Sequence, residues 1–328
     1  MSDQYTDINN LSDTDMWCLL VRTWYAISRL RELELAQFGL SVEQSSILKI
    51  MSIRGGSTTA KELEYLTMRQ QHSISTLINR MYKSGLVDKK KEPDERRHRI
   101  VITPEGERIN NQVTIASIEI VFNSLTEAER TLYSHYIRTI YSKARELLGL
   151  SYYPPYIKST DSPVRMPDKR PTDSIRAYFE LWTSLDIAGF AILRLRKLEL
   201  AKFDLTSEQS MVLSVIQHCG GSTTAKDIER FTTRQHHSIS TLINRMVKSG
   251  LVTKTKSPSE KMYRISMTPE GKKKFNSITT DSIGTIFDFL TAQTKHEFAG
   301  ILLTLYSESS SLLGMHQRQP LPQPMPTG

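Results

Sequence analysis

Offset by 165 positions, the chain aligns with itself: RLRELELAQFGLSVEQS at 29–45 meets RLRKLELAKFDLTSEQS at 194–210, and SISTLINRM recurs at 73–81 and 238–246. A chain of 328 residues with a repeat of this length reads as two domains of ordinary size, each able to bury its own core. The agreement is uneven. Gly55 to Val87 and Gly220 to Val252 are identical at 26 of 33 positions, whereas Glu107 to Gly149 and Lys272 to Gly314 share 13 of 43. Core helices exchange one apolar residue for another freely, so a shared apolar pattern needs no further cause. Agreement at polar positions that point at water does need one.

The two expected domains are 11–149 and 176–314. The segment between them, 150–175, contains SYYPPYIKSTDSPVRMPDKRPT with five prolines and no helical period, and reads as a linker. The proline-rich end, 315–328, is expected to be disordered. Inside the first domain, Leu19, Leu20, Trp24, Ile27, Leu30 and Leu33 mark a long first helix. Ser41-x-x-Gln44, Thr59-x-x-Glu62 and Thr67-x-x-Gln70 have the spacing of capping boxes, which predicts three helix starts in close order. LVDKKKEPDERRHRIVIT reads as a hairpin with a charged tip, and Thr103-Pro104-Glu105 as an N-cap with proline at the first helical position. Two long amphipathic helices are expected to close the domain near Gly149.

In the segment after Arg69, Ile74, Leu77, Ile78 and Met81 fall at helical spacing and form the buried stripe. The rest of the helix faces outward and, with Arg69 just before it, supplies the candidate DNA contacts: Gln70, Gln71, His72, Ser73, Ser75, Thr76, Asn79, Arg80 and Lys83, with no acid among them. The second copy presents Arg234, then Gln235, His236, His237, Ser238, Ser240, Thr241, Asn244, Arg245 and Lys248. Amide, hydroxyl and guanidinium groups hydrogen-bond base edges and phosphates, and the missing carboxylates remove repulsion from phosphate. A net charge of +8 and a pI near 9.3 favour the same polyanionic partner. The hairpins add Arg96, Arg97 and Arg99 in the first copy, and Lys261 and Arg264 in the second. Arg96 and Arg97 become Lys261 and Met262, so the first hairpin is expected to grip DNA harder.

Other chemistries find little support. Only Cys18 and Cys219 occur, which excludes a disulfide framework or a cysteine zinc site. His72, His236 and His237 have no Cys or acidic partner at ligand spacing, so no metal is expected. No nucleophile triad, phosphate cradle or paired carboxylates stand in a catalytic setting, so neither an enzyme nor a cofactor is expected. No apolar run is long enough to span a membrane, and the start, MSDQYTD, lacks the pattern of a secretion signal; the chain is expected to be cytoplasmic.

The order of parts, with LSVEQSSILKIM, GGSTTAKELEYL, SGLVDKKKEPDERRHRIVITPEG and the partner run ending in MYRISMTPEG, resembles the MarR family of winged-helix transcription regulators. The resemblance implies a mainly α fold with small β-hairpins: tandem winged helix-turn-helix domains, paired as an intrachain pseudo-dimer through helices near 12–38, 104–149, 176–203 and 269–314. The implied function is a sequence-specific double-stranded DNA-binding regulator, a repressor on a pseudo-palindromic operator, released by a small aromatic or oxidant effector. Trp17, Cys18, Arg22, Trp24, Tyr25 and Arg29 are the candidate effector-binding residues. The second hairpin departs from the family's Asp-x-Arg pattern, since Asp94 is matched by Ser259. Rival readings are a protein-interaction adaptor whose basic faces dock an acidic partner, and a nonspecific architectural DNA-binding protein.

Overall fold

In a computed structural model, residues 11–91, 98–150, 173–232, 236–256 and 262–314 are described; the expected linker and tail lie almost wholly outside them. In chain order the elements are α1 (Asp13–Ala36), α2 (Val42–Ile53), β1 (Ser57–Thr58), α3 (Ala60–Thr67), α4 (Gln71–Lys83), β2 (Val87–Lys91), β3 (His98–Ile102), α5 (Pro104–Gln112), α6 (Ala116–Asn123) and α7 (Glu127–Leu147). There follow α8 (Asp173–Ala201), α9 (Ser207–His218), β4 (Ser222–Thr224), α10 (Ala225–Thr232), α11 (His236–Lys248), β5 (Val252–Thr255), β6 (Arg264–Met267), α12 (Pro269–Ser277), α13 (Asp281–Phe287) and α14 (Ala292–Leu312). Two compact units result: the described residues of the larger one are 16–91, 98–150, 173–192 and 290–314, and those of the smaller one are 11–15, 193–232, 236–256 and 262–289.

In the larger unit a three-stranded antiparallel sheet has the order β1-β3-β2, with Ser57 opposite Val101 and Val87 opposite Ile102. Its hairpin is held against α5 by Gly106, where a Cβ would lie 2.1 Å from the Leu86 carbonyl oxygen. No side chain fits in that gap. Thr103 caps α5 from the same spot: its hydroxyl donates to the Gly85 carbonyl at 2.6 Å and accepts from the Gly106 amide at 3.0 Å. The long helices α1, α7 and α14 bury Leu19, Leu20, Ile27, Tyr133, Ile137, Ile140, Phe298 and Leu302, each worth about 1.5–3 kcal/mol of removed apolar surface. Tyr136 of α7 packs on Phe298 of α14 at 4.9 Å, and the Thr23 hydroxyl of α1 donates to the Leu302 carbonyl at 3.2 Å.

In the smaller unit β4-β6-β5 has the same strand order. Around it Leu205, Val212, Leu213, Ile216, Ile228, Ile239, Ile243, Met246 and Ile265 form one apolar cluster. Gly271 repeats the tight approach, with a Cβ position 2.0 Å from the Leu251 carbonyl oxygen. A polar node also recurs. Arg31 donates to Glu34 and to the Thr114 carbonyl in the larger unit, and Ser117 donates to Glu34; Arg196 donates to Glu199 and to the Thr279 carbonyl in the smaller, and Ser282 donates to Glu199. Burial works against both carboxylates, but the hydroxyls and the neighbouring guanidinium outweigh it and hold them below the usual range.

Two expectations need correction. Thr67 caps nothing: it ends α3, its hydroxyl donates to the Leu63 carbonyl at 2.6 Å, and Met68 turns the chain left-handed at φ 57°. Gln70 takes the N-cap position of α4 and makes no side-chain cap bond. The domain is also not closed by two long helices. Only α7, of 21 residues, is long; α5 and α6 have 9 and 8. An extended Val113 ends α5 and a third capping box, Thr126 with Glu129, starts α7. The other two expected boxes are formed, at Ser41/Gln44 and Thr59/Glu62.

Candidate nucleic-acid interface

The α3 helix ends in the left-handed turn at Met68, which lets α4 leave at an angle to it. Ile74, Leu77, Ile78 and Met81 are buried and pin α4 to the sheet and α2. On the opposite side Gln71, His72, Ser75, Thr76, Asn79, Arg80 and Lys83 are exposed, with Gln70 and Ser73 half-buried. Because α4 begins without a side-chain cap, its first amides and the positive end of its dipole remain open to an anion. Lys89 of β2 donates to the Asn79 side-chain oxygen at 2.5 Å and lies over the Tyr82 ring, so hairpin and helix present one surface. Arg99 of β3 donates to the Ser57 hydroxyl at 3.0 Å.

In the smaller unit Ile239, Leu242, Ile243 and Met246 are the buried stripe of α11. His237, Ser238, Thr241, Asn244, Arg245 and Lys248 are exposed and Ser240 is half-buried. With Thr206, Glu208 and Gln209 at the start of α9, His237, Ser238, Thr241 and Arg245 line a cleft of about 480 Å³. Arg264 stands exposed at the start of β6. Arg96, Arg97, Lys261, Arg234 and Gln235 lie outside the described residues, as does the side chain of His236.

Arg69 sits differently from the rest of the set. Its guanidinium lies 3.9 Å from the Phe190 ring centroid and 3.7 Å from Glu43, and burial lowers its pKa. It anchors the entry to α4 rather than sharing the exposed face. Two features escape a reading of the helix alone. The face is free of acids only within the helix: Glu43 and Glu208, from the start of the preceding helix, border it. Burial acts to raise Glu43, but the Ser41 hydroxyl, a backbone amide, Arg69 and Arg80 together hold it ionised below the usual range. The second feature is Tyr263, half exposed on the second hairpin with Lys254 and Lys256 at 4.6 and 5.5 Å from its ring. A Met262-Tyr263 pair in place of Arg97-His98 was its only trace in the sequence.

The six α1 residues go to different surroundings. Trp24 is buried, stacks on Tyr25 at 5.1 Å and donates its indole N–H to Asp186 of α8 at 3.0 Å. Arg22 donates to the Tyr306 hydroxyl of α14 at 3.0 Å, and Arg29 pairs with Glu32 at the surface. Trp17 and Cys18 are half-buried. Burial pushes Asp186 up to about 6, against the indole N–H and the charge of Arg69. Among the described residues no cluster of His, Cys, Asp or Glu could hold a metal, and no helix is long and apolar enough to cross a membrane.

No curated protein matches the chain. The chain is similar in structure to an organohalide-sensing transcriptional regulator in its 2,4-dichlorophenol-bound form, at 24% identity and a TM-score of 0.42, over 48% of this chain and 97% of that one. The ligand-free form of that regulator aligns at 23% identity and a TM-score of 0.42, over 48% and 97%. A MepR-like protein complexed with pseudoligands aligns at 20% identity and a TM-score of 0.31, over 37% and 86%. The model of the MarR family matches residues 203–261. A MarR-family domain therefore occupies residues 203–261, the stretch that contains α9, β4, α10, α11 and β5.

Proposed function

We propose that the chain is a sequence-specific double-stranded DNA-binding transcription regulator in which two MarR-like winged-helix domains, 11–149 and 176–314, act as one covalent pair and repress by covering a pseudo-palindromic operator. The observation that carries this reading is the outward face of α4, whose exposed His72, Asn79, Arg80 and Lys83 recur on α11 as His237, Asn244, Arg245 and Lys248. Arg80 and Arg245 take base edges or phosphates, Asn79 and Asn244 assist them, and Lys83 and Lys248 hold the backbone. Two readers one helical turn apart, about 34 Å, suit two half-sites. Covalent linkage removes the dependence of pairing on concentration and lets the half-sites differ. An effector that releases the operator would act through α1, which carries Trp17, Cys18 and the buried Trp24.

Footprinting of genomic fragments with the purified chain tests the reading. A protected, near-palindromic site with a steep salt dependence supports it. Salt-dependent binding without a preferred site would make the chain an architectural protein, and binding of acidic proteins but not duplex would make it an adaptor. On the recovered operator, Arg97→Ala weakens binding and flattens the salt slope more than Met262→Ala if the two hairpins are unequal.

A further inference from the structure

The places where α1 and α8 meet are filled by unlike residues. Trp24 of α1 and Gly189 of α8 lie 165 positions apart and hold the same place in the repeat, yet one is the largest side chain and the other has none. They touch. A Cβ built on Gly189 would fall 2.6, 2.8 and 2.9 Å from Cδ2, Cε2 and Cε3 of Trp24, about an ångström inside normal carbon contact. The backbone of α8 is thus the floor of a recess that the indole fills. The neighbouring positions complete the fit. Asp186, buried and accepting the indole N–H at 3.0 Å, stands where α1 has Val21, and Phe190 meets the indole edge-on at 5.1 Å where α1 has Tyr25.

We infer that the α1 face around Trp24 is an interaction surface shaped for the 181–190 stretch of α8 and closed to a second copy of itself, so that only unlike repeats pair. Like repeats crossing at this point would set each residue against its own kind. Two first repeats would bring two indoles into the space that holds one, with each N–H against Val21. Two second repeats would leave an indole-sized void lined by glycine, with two buried Asp186 carboxylates lacking their donor. The inference rests on reading the chain as two paired repeats and adds partner choice to it. It keeps one α4 and one α11 in every assembly, including any formed by exchange between chains, so that half-sites are read by one helix of each kind.

Four full-length chains test this by thermal melting. Asp186→Val with Gly189→Trp makes both places resemble the first repeat, and Val21→Asp with Trp24→Gly makes both resemble the second. Each lowers the midpoint by about 10 °C or more. The chain carrying all four substitutions mirrors the original fit and recovers most of either loss. A symmetrised chain melting within about 2 °C of the original, or a four-fold variant no better than its parents, overturns the inference. A milder pair covers the case of misfolding. Alanine in place of glycine ordinarily raises helix stability, but Gly189→Ala lowers the midpoint here and raises it once Trp24→Ala has emptied the recess. The same sign in both backgrounds also overturns it. Duplex binding by the unaltered chain is measured alongside: its absence with the melting pattern intact removes the operator and leaves the pairing.

Discussion

Two pairs of helical stretches teach opposite lessons. Along α4 and α11, eleven of thirteen residues agree, and the agreement includes the exposed Thr76/Thr241, Asn79/Asn244 and Arg80/Arg245. Along 16–25 of α1 and 181–190 of α8, only Trp17/Trp182 and Leu20/Leu185 agree out of ten. A buried contact within the chain needs only to fit its own counterpart, so its two sides drift apart together. An exposed face has nothing in the chain to match, and sameness there points to a common external target with its own repeated chemistry.

The largest effect that tests this contrast is on stability. Trp24→Gly should cost about 4 kcal/mol or more in denaturant unfolding, combining a large core void with helical glycine. A loss below about 1 kcal/mol would remove the distinction between fitted and exposed positions. Next comes pH. Asp186 titrates near 6 in the folded chain and lower when unfolded, so the folded state binds the extra proton between about pH 4 and 6. Stability therefore falls as pH rises through that window and is level above it. Glu34 and Glu199, held low, act in the other sense: their contribution is present above the ordinary carboxylate range and is lost as pH falls through their lowered values. Asp186→Asn removes the first effect only. The stability difference between it and the parent should change by roughly 2–3 kcal/mol between pH 4 and 7.

Smaller effects are expected on the shared face. Arg80→Ala and Arg245→Ala should each weaken operator binding by about tenfold to a hundredfold, with folding unchanged. Titration of labelled duplex reads this, and a marked inequality between the two would break the equivalence of the faces. Smallest of all, Gln71→His with Tyr82→Val makes α4 identical to α11 and should change stability by less than about 0.5 kcal/mol, since both residues are exposed. Its readout is the preference between the two half-sites, which should become more equal.

Much of the local structure was legible because its causes are local. The Ser41/Gln44 and Thr59/Glu62 boxes, the proline-started α5, the hairpin strands and the buried stripe of α4 each depend on residues within a few positions of one another. The Thr67/Gln70 spacing misled because the same hydroxyl can serve the end of a helix, and the left-handed Met68 decided which. Arg69 looked like its exposed neighbours, but the ring that holds it, Phe190, is 121 positions away. The border acids Glu43 and Glu208 were missed for a similar reason: they belong to other helices than the faces they adjoin.

From residue order alone come the repeat, the cores with period 3.6, the hairpins and the polar face without acids, because hydrophobic periodicity and cap chemistry are properties of short windows. Tertiary structure alone decided that Trp24 is buried in a recess over Gly189, that Asp186 accepts its N–H, and that Arg69 turns inward. Those outcomes depend on which distant surface fills a given volume, and close packing selects among surfaces by shapes that no window of sequence contains.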